Sequence, residues 1–257
     1  MFICVIREIR GEFISNYSVL DAARNNALWC DAVGRAHGAV GVFHDALWLS
    51  FGDMPRFYPN AVTLTPDGAA EQMAHIAELA AARARFAVKG SFANLDLRPL
   101  DCAVLFEATW LARPGDAPPP PATGDQWTIV GDAAELALWE GAWAGLPPGL
   151  SWPGPEHIFP AALLAEPGVV FLAGRRNGKL VAGAVLNETG PVVGLSNVFT
   201  ALFAPAGAAA ECYIGAVALA GQLFPGRPLV GYERGDDLTL ARQAGFQPIG
   251  KLRVWAR

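Results

Sequence analysis

One segment constrains the fold of this chain more than any other, because residues 118–121 are four successive prolines. Proline fixes φ and lacks a backbone N–H, so such a run is extended and belongs neither to a helix nor to a central strand. We therefore predict a linker over residues 113–124, between an N-terminal domain over residues 1–112 and a C-terminal domain over residues 125–257. Each of these two parts approaches the usual size of a domain with its own core.

The composition indicates a folded chain and excludes some classes of partner. Hydrophobic residues make up 53% of the chain and charged residues 17%, whereas a disordered chain is poor in apolar residues and rich in charge. The 19 basic residues are outnumbered by 24 acidic residues. The chain therefore lacks the positive charge that binds a nucleic-acid backbone or an anionic membrane, and we expect neither as a partner.

The cysteines and the N-terminus predict a cytoplasmic location. The four cysteines lie far apart among apolar residues without a Cys-x-x-Cys pair, which is typical of reduced, buried thiols. The first dozen residues carry four charges, unlike a signal peptide, and the longest apolar run, around residues 215–224, is about half of the ~20 residues that cross a bilayer. None of His37, His44 and His75 has partners at the spacing of a metal site, so we expect no metal.

Turn signals divide the C-terminal half into strands and helices. A strand over residues 126–130 precedes a helix that Asp132 caps, and a proline-rich loop over residues 147–160 leads to three strands joined by short turns. Such closely spaced strands predict an antiparallel meander. The predicted strands of the meander and the elements after it are strands 169–174, 180–188 and 192–200, a helix to residue 224, a strand at 228–232, a helix at 236–244 and a strand at 248–255.

The N-terminal half shows a similar succession of elements. Ser18 or Asp21 can cap a helix that ends near Ala36, and two short apolar runs on either side of residues 44–45 predict a hairpin. The remaining predicted elements are a strand at 58–65, a helix at 67–85 and strands at 86–92 and 102–111.

Two segments of the C-terminal half resemble motifs of the GNAT superfamily of acyl-CoA N-acyltransferases. Residues 241–250, ARQAGFQPIG, are similar to the family's final helix and strand, which a Gly-Phe pair joins. Residues 204–209, APAGAA, are similar to its pyrophosphate-binding loop, in which Gly207 and Ala209 match and Ala204 replaces a Gln or Arg. The resemblance implies an α+β fold with a mixed sheet, and a degenerate GNAT-like unit in the N-terminal half would make two units in tandem.

The resemblance also implies a co-substrate and its contacts. It implies acetyl-CoA, from which an acetyl group passes to a primary amine of a small-molecule acceptor by direct attack. The strand before the loop would pair the backbone of Val198 and Thr200 with the pantetheine arm. Gly207, Ala208 and Ala209 would bind the diphosphate, because the N–H groups and the dipole at a helix N-terminus attract anions.

Candidate catalytic residues lie in the proline-rich loop and at a strand end. In the loop, His157 can accept an amine proton near neutral pH, and Glu156 can act as a base or select a cationic acceptor. Tyr232 ends the strand after the phosphate-binding helix and can protonate a leaving thiolate. The alternative interpretation is that these are solvated loop residues and a strand-end aromatic. The candidate substrate-binding residues are Asn197, Trp152 and Glu233.

Two departures from the family pattern support a second hypothesis. Ala204 offers no polar side chain to the loop, and Ala241 stands where many relatives carry a tyrosine that acts as general acid. The chain would then be a catalytically inactive GNAT-like protein that binds a ligand or a partner. A third hypothesis makes the N-terminal half a dimerisation module, because its hairpin and aromatic residues can supply an apolar interface, and a homodimer is left open.

Overall fold

The described residues form eleven strands and five α-helices. The structure is a computed structural model, and it describes residues 18–121, 123–152, 157–204 and 207–257. The strands are β1 (Val42–Phe43), β2 (Leu47–Leu49), β3 (Ala61–Thr63), β4 (Ala87–Gly90), β5 (Ala103–Arg113), β6 (Gln126–Ile129), β7 (Val169–Arg176), β8 (Lys179–Thr189), β9 (Val192–Thr200), β10 (Leu229–Glu233) and β11 (Gln247–Ala256). The helices are α1 (Val19–Ala36), α2 (Ala69–Ala82), α3 (Ala133–Trp143), α4 (Ala208–Leu223) and α5 (Gly235–Gln243), with 3₁₀ helices at Arg98–Leu100 and Ala161–Ala165.

All the strands belong to one mixed sheet. Their order is β1-β2-β3-β4-β11-β5-β10-β9-β8-β7-β6. The pairs β3 with β4 and β9 with β10 are parallel, and the other neighbouring strands are antiparallel. The predicted class, α+β with a mixed sheet, is confirmed, and the predicted meander is formed by β7, β8 and β9.

The N-terminus of α1 shows why the local prediction was accurate. The Ser18 hydroxyl accepts from the backbone N–H of Asp21, and the Asp21 carboxylate accepts from the backbone N–H of Ser18 at 2.7 Å. This reciprocal capping box satisfies two donors that the first helical turn leaves unpaired. The apolar stripe of the helix, which includes Ala23 and Ala27, is buried against the sheet.

Helices cover both faces of the sheet. Phe171 of β7 and Val185 of β8 pack in one core with Trp139 of α3 and with residues of α1. Their neighbours Leu172 and Leu186 pack in another core with residues of α4 and α5. Since successive side chains of a strand point to opposite faces, α1 and α3 lie on one face, and α4 and α5 lie on the other.

A parallel strand-helix-strand unit occurs in both halves of the chain. In the N-terminal half α2 joins the parallel strands β3 and β4, and in the C-terminal half α4 joins the parallel strands β9 and β10. Gly68 precedes α2 with φ 86°, and Gly207 precedes α4 with φ 84°. The predicted helix at 67–85 therefore begins after Gly68, which is its N-cap, and not at Asp67. Glycine suits this position because its backbone is left-handed. The repeat corresponds to the tandem arrangement that the resemblance implies.

β5 joins the two halves of the chain at the centre of the sheet. It precedes the proline segment, yet it lies between β10 and β11, which follow that segment. Trp110 of β5 is opposite Tyr232 of β10 on one side and opposite Gly250 of β11 on the other. β11 in turn lies between β5 and β4, so each half places its last strand among the strands of the other half. Both predicted domains contribute to one sheet, and their boundaries stay a prediction.

We expect a truncated chain of residues 125–257 to lack a cooperative unfolding transition. Without β5, the backbone N–H and C=O groups of β10 and β11 lose the partners that lie between them, and the buried side chains of Trp110 and Leu111 are missing. Thermal unfolding followed by circular dichroism measures this. Co-expression with residues 1–124 is the control and should restore the transition. A truncated chain that unfolds as cooperatively as the whole chain would contradict the prediction.

Candidate active site

β9 and β10 separate after a short paired stretch. Their pairs are Val193 with Leu229 and Gly194 with Val230. Beyond these pairs β9 continues along β8 to Thr200, and β10 continues along β5 to Glu233. An opening therefore lies between β9 and β10 in the C-terminal half.

A bulge deforms β9 beside this opening. The register between β8 and β9 shifts between the pair Gly183–Phe199 and the pair Val185–Ser196. Asn197 lies in the shifted stretch with φ 51°, a left-handed backbone that few residues other than glycine adopt. A bulge leaves one residue without an opposing partner, so the ladder of hydrogen bonds is interrupted here.

A cavity of about 220 Å³ adjoins the opening, and both halves of the chain line it. The C-terminal half contributes residues 194–198 of β9 and 230–233 of β10. The N-terminal half contributes residues 57–59, and its other lining residues are Ala22, Asn25, Asn26, Trp29 and Cys30 of α1, Lys89 of β4 and Trp110 of β5. Of the predicted residues, the structure brings Tyr232, Glu233, Asn197 and Val198 together in this cavity.

Lys89 is a buried cation in the wall of this cavity. Its residue is 4% exposed, and its Nζ donates to Asn26 Oδ1 at 2.6 Å and to the Tyr232 hydroxyl at 3.1 Å. Within the described residues it forms no ion pair. Asn25 and Asn26 were not predicted as site residues, and Lys89 was predicted only as one of four isolated basic residues, any of which could meet the 3'-phosphate of the cofactor. For Lys89 a signal existed, because it is the one charge inside the otherwise apolar strand over residues 86–92.

Tyr232 and Glu233 extend from the end of β10 to different surroundings. Tyr232 contacts Lys89 and packs edge-on against Trp110, with ring centroids 5.3 Å apart. Glu233 lies beside Tyr213 of α4. The pKa of Glu233 is raised to about 7, chiefly by burial and in smaller part by the nearby Asp237, while the Tyr213 hydroxyl opposes the shift by favouring the ionised form. A carboxyl that titrates near neutral pH at an opening in the sheet can accept or donate a proton there.

The N-terminus of α4 is open to a ligand. Gly207 is the N-cap, and no described side chain caps the helix. Ala208 is buried and Ala209 half-buried at the first two helical positions, so neither places a large side chain over the backbone N–H groups. Thr200, at the end of β9, is exposed. These residues leave room for an anion at the positive end of the helix dipole.

A second cavity holds the residues predicted from the proline-rich loop. His157 and Trp152 line this cavity of about 1040 Å³, which shares Phe57 with the first. His157 Nδ1 lies 2.6 Å from a carboxylate oxygen of Glu140, which is 1% exposed. The structure thus places His157 and Trp152 apart from Tyr232, and Glu156 lies outside the described residues. Glu140 was missed because it sits in α3, where its spacing is that of an ordinary helical residue.

Other predicted positions belong to the core. Ala241 is 1% exposed and packs in the same core as Tyr213. Gly245, with φ 93°, ends α5, and Phe246 fills the core after it, as the Gly-Phe pair predicts. Burial raises the pKa of the Cys212 thiol to about 12, so this thiol is not a nucleophile near neutral pH.

The ranges 18–121, 123–152, 157–204 and 207–257 lack two kinds of feature. They contain no group of three or more His, Cys, Asp or Glu side chains that could hold a metal ion. In the same ranges no helix combines the length and the apolar character that crossing a bilayer requires.

Solved structures that superpose on this chain include proteins named GCN5-related N-acetyltransferases. A GCN5-related N-acetyltransferase from Kribbella flavida superposes with TM-score 0.62 at 19% identity, covering 91% of this chain and 95% of that one. A GNAT-family acetyltransferase from Novosphingobium aromaticivorans superposes with TM-score 0.54 at 15% identity, covering 91% and 97%. A tandem GNAT protein from the clavulanic acid biosynthesis pathway superposes with TM-score 0.53 at 13% identity, covering 94% and 96%.

In sequence, no protein-family model matches this chain, and no curated protein matches it. The structural likeness extends over nine-tenths of the chain and includes a tandem protein, so the chain has the GNAT-superfamily fold. The predicted resemblance and the predicted tandem fold class are confirmed.

We expect Glu233→Gln to remove a pH dependence of stability. Because burial raises the pKa of Glu233 from 4.5 to about 7, the folded chain retains a proton there that the unfolded chain releases as the pH rises through this range. The wild-type free energy of unfolding should therefore fall by roughly 3 kcal/mol, relative to that of the variant, between about pH 4.5 and pH 7. Urea denaturation at a series of pH values measures this difference.

Glu78→Gln serves as the matched control, because the Glu78 side chain is 66% exposed. It should leave the pH dependence of the wild type in place. Parallel pH profiles for the wild type and Glu233→Gln would show that the Glu233 carboxyl is not protonated preferentially in the folded chain.

Proposed function

We propose that this chain, which has the GNAT-superfamily fold, is an N-acyltransferase that moves an acetyl group from acetyl-CoA to a primary amine by direct attack. The observation that carries the proposal is the opening between β9 and β10, which has an open helix N-terminus on one side of the sheet and a polar cavity on the other. A long, thin thioester fits such an opening, and an amine can reach it from the cavity.

The residues at the opening fit acetyl-CoA. Beyond Gly194, the edge of β9 that faces the opening has no strand partner, so its backbone from Val198 to Thr200 can pair with the amides of the pantetheine arm. Gly207, Ala208 and Ala209 offer backbone N–H groups to the diphosphate without an obstructing side chain. We assign the cofactor contacts to these residues.

The bulge in β9 supplies the electrostatic part of the mechanism. When the amine nitrogen bonds to the thioester carbon, negative charge develops on the carbonyl oxygen. We assign the donors to that oxygen to the backbone N–H groups around Asn197, where the bulge interrupts the ladder with β8. Fixed donors of this kind stabilise developing charge without reorganisation during the reaction.

Glu233 and Tyr232 handle the two protons. Glu233, with a pKa of about 7, accepts the proton that the attacking amine loses. As the carbon–sulfur bond breaks, Tyr232 gives its hydroxyl proton to the departing thiolate. Lys89 already donates to the Tyr232 oxygen, so the phenol hydrogen is free to point elsewhere, and the ammonium stabilises the phenolate that remains. We assign His157 and Trp152 to the path by which the acceptor arrives, since their cavity meets the first one at Phe57.

Binding of acetyl-CoA tests the proposal first. At a hundredfold excess over its Kd, acetyl-CoA should stabilise the chain by about 2.7 kcal/mol in a thermal-shift titration. Ala209→Asp should weaken acetyl-CoA binding by about tenfold or more, since a carboxylate at the helix N-terminus repels the diphosphate. The same carboxylate favours the helix itself, so a loss of folding is not expected.

Ala70→Asp is the matched control, because Ala70 occupies the same position of α2, two residues after the left-handed Gly68. It should leave the affinity for acetyl-CoA unchanged. No stabilisation of the wild-type chain by acetyl-CoA would exclude an acetyl-CoA-dependent activity.

Catalysis is tested by Tyr232→Phe. The variant should lower kcat for acetyl transfer by about a hundredfold or more and leave the Kd of acetyl-CoA unchanged, because only the proton donor is removed. Thiol release against a panel of primary amines measures kcat. Tyr58→Phe is the comparison, since Tyr58 lines the same cavity and should lower kcat much less. Acetyl-CoA binding without transfer to any amine would favour the inactive ligand-binding protein, for which Ala241 in the core is the supporting observation.

A further inference from the structure

We propose that the first cavity selects a small acceptor that carries a carboxylate near its amine, as an amino acid does, and that Lys89 binds this carboxylate. The inference rests on the proposed function and adds the chemical class of the acceptor to it.

Lys89 is a buried ammonium group that has no opposite charge and only two hydrogen-bond acceptors among the described residues. Burying an ammonium group costs free energy unless an opposite charge or several hydrogen bonds compensate for it. The residue is 4% exposed, and its two hydrogen-bond partners, Asn26 Oδ1 and the Tyr232 hydroxyl, are neutral. Its Nζ also lies 4.4 Å from the centroid of the Tyr232 ring, a cation–π contact that compensates for only part of a buried charge. An ammonium has three N–H donors, so one donor is left without a partner among the described residues. An anion in the adjoining cavity would supply both the missing acceptor and the missing charge.

The other amides in the wall do not serve this purpose. The Asn25 amide donates to the Asn187 carbonyl at 2.9 Å, and the Asn187 amide donates to the Asn25 carbonyl at 3.1 Å. Both side chains therefore hold α1 against β8 and have their donors satisfied. Lys89 is the cationic group that remains for a ligand among the described lining residues.

The charges of the cavity complement an amine and a carboxylate together. Among the described lining residues the charged side chains are Lys89 and Glu233. Tyr232, which contacts Lys89, and Glu233 are consecutive residues at the end of β10, so their side chains leave opposite faces of the sheet, and Glu233 lies beside Tyr213 of α4. The ammonium of Lys89 suits the carboxylate of the acceptor, and the carboxyl of Glu233, at the opening between β9 and β10, suits its amine.

The size of the cavity favours a small acceptor. Its volume of about 220 Å³ lies below the roughly 300–1,000 Å³ of pockets that enclose drug-sized ligands. An acceptor of amino-acid size fits this limit. A polyamine or a lysine side chain of a protein lacks a carboxylate near its amine, so it does not supply the negative charge that Lys89 lacks.

The experiment compares matched pairs of acceptors. The probes are L-alanine, L-phenylalanine, L-glutamate and the other common amino acids, each against its own carboxamide, and binding to the full chain in the presence of CoA is measured by calorimetry. In each pair the amine and the side chain are the same. At least one amino acid should bind roughly tenfold or more tightly than its carboxamide, because the carboxamide keeps an acceptor oxygen but carries no negative charge to pair with the ammonium.

The variants assign that preference to Lys89. Lys89→Met should reduce the ratio of the two Kd values to about one, and Lys89→Gln is a second variant in case the first does not fold. Lys179→Met, at an exposed hairpin turn, should keep the wild-type ratio. Equal binding of acid and carboxamide by the wild type, no binding of any acid, or a preference that survives in the Lys89 variants would each overturn the inference. The acetyl-CoA titration of the wild type is a separate measurement, so failure of the proposed function is recognised independently.

Discussion

The pairing of β5 with both β10 and β11 is the interaction on which the rest of the structure depends. β5 belongs to the N-terminal half, and its neighbours belong to the C-terminal half. Its buried residues Trp110, Leu111 and Ala112 belong to cores that residues of both halves build. Gly231, Tyr232 and Glu233 stay paired with β5 beyond the point at which β10 and β9 separate. The strand exchange thus supports β10 along the edge that faces away from the opening.

The exchange also brings residues of the N-terminal half to the candidate site. Lys89 lies on β4, which β11 and β5 separate from β10, and its Nζ contacts the Tyr232 hydroxyl. α1 covers the same region, held by the reciprocal amide bonds of Asn25 and Asn187. The N-terminal half therefore contributes a wall of the first cavity.

Local elements could be predicted from the sequence, and their partners could not. The capping box of Ser18 and Asp21 and the helix end at Gly245 are short-range signals. Apolar alternation does not say which strand lies beside which, so the position of β5 was not predictable. For the same reason Tyr232 and Asn197 could be placed near the opening through the family resemblance, whereas Lys89 could not. The cytoplasmic location, the partners and the homodimer stay predictions.

The proline run has a mechanical consequence in this topology. β5 and β6 are five strands apart in the sheet, a lateral distance of roughly 24 Å at about 4.8 Å per strand. A flexible segment of twelve residues has an average end-to-end distance of only about 20 Å, whereas an extended polyproline segment reaches roughly 37 Å. The four successive prolines favour an extended conformation of the segment between β5 and β6 in the unfolded chain. Folding then loses less conformational entropy when the strands at its two ends take their distant places.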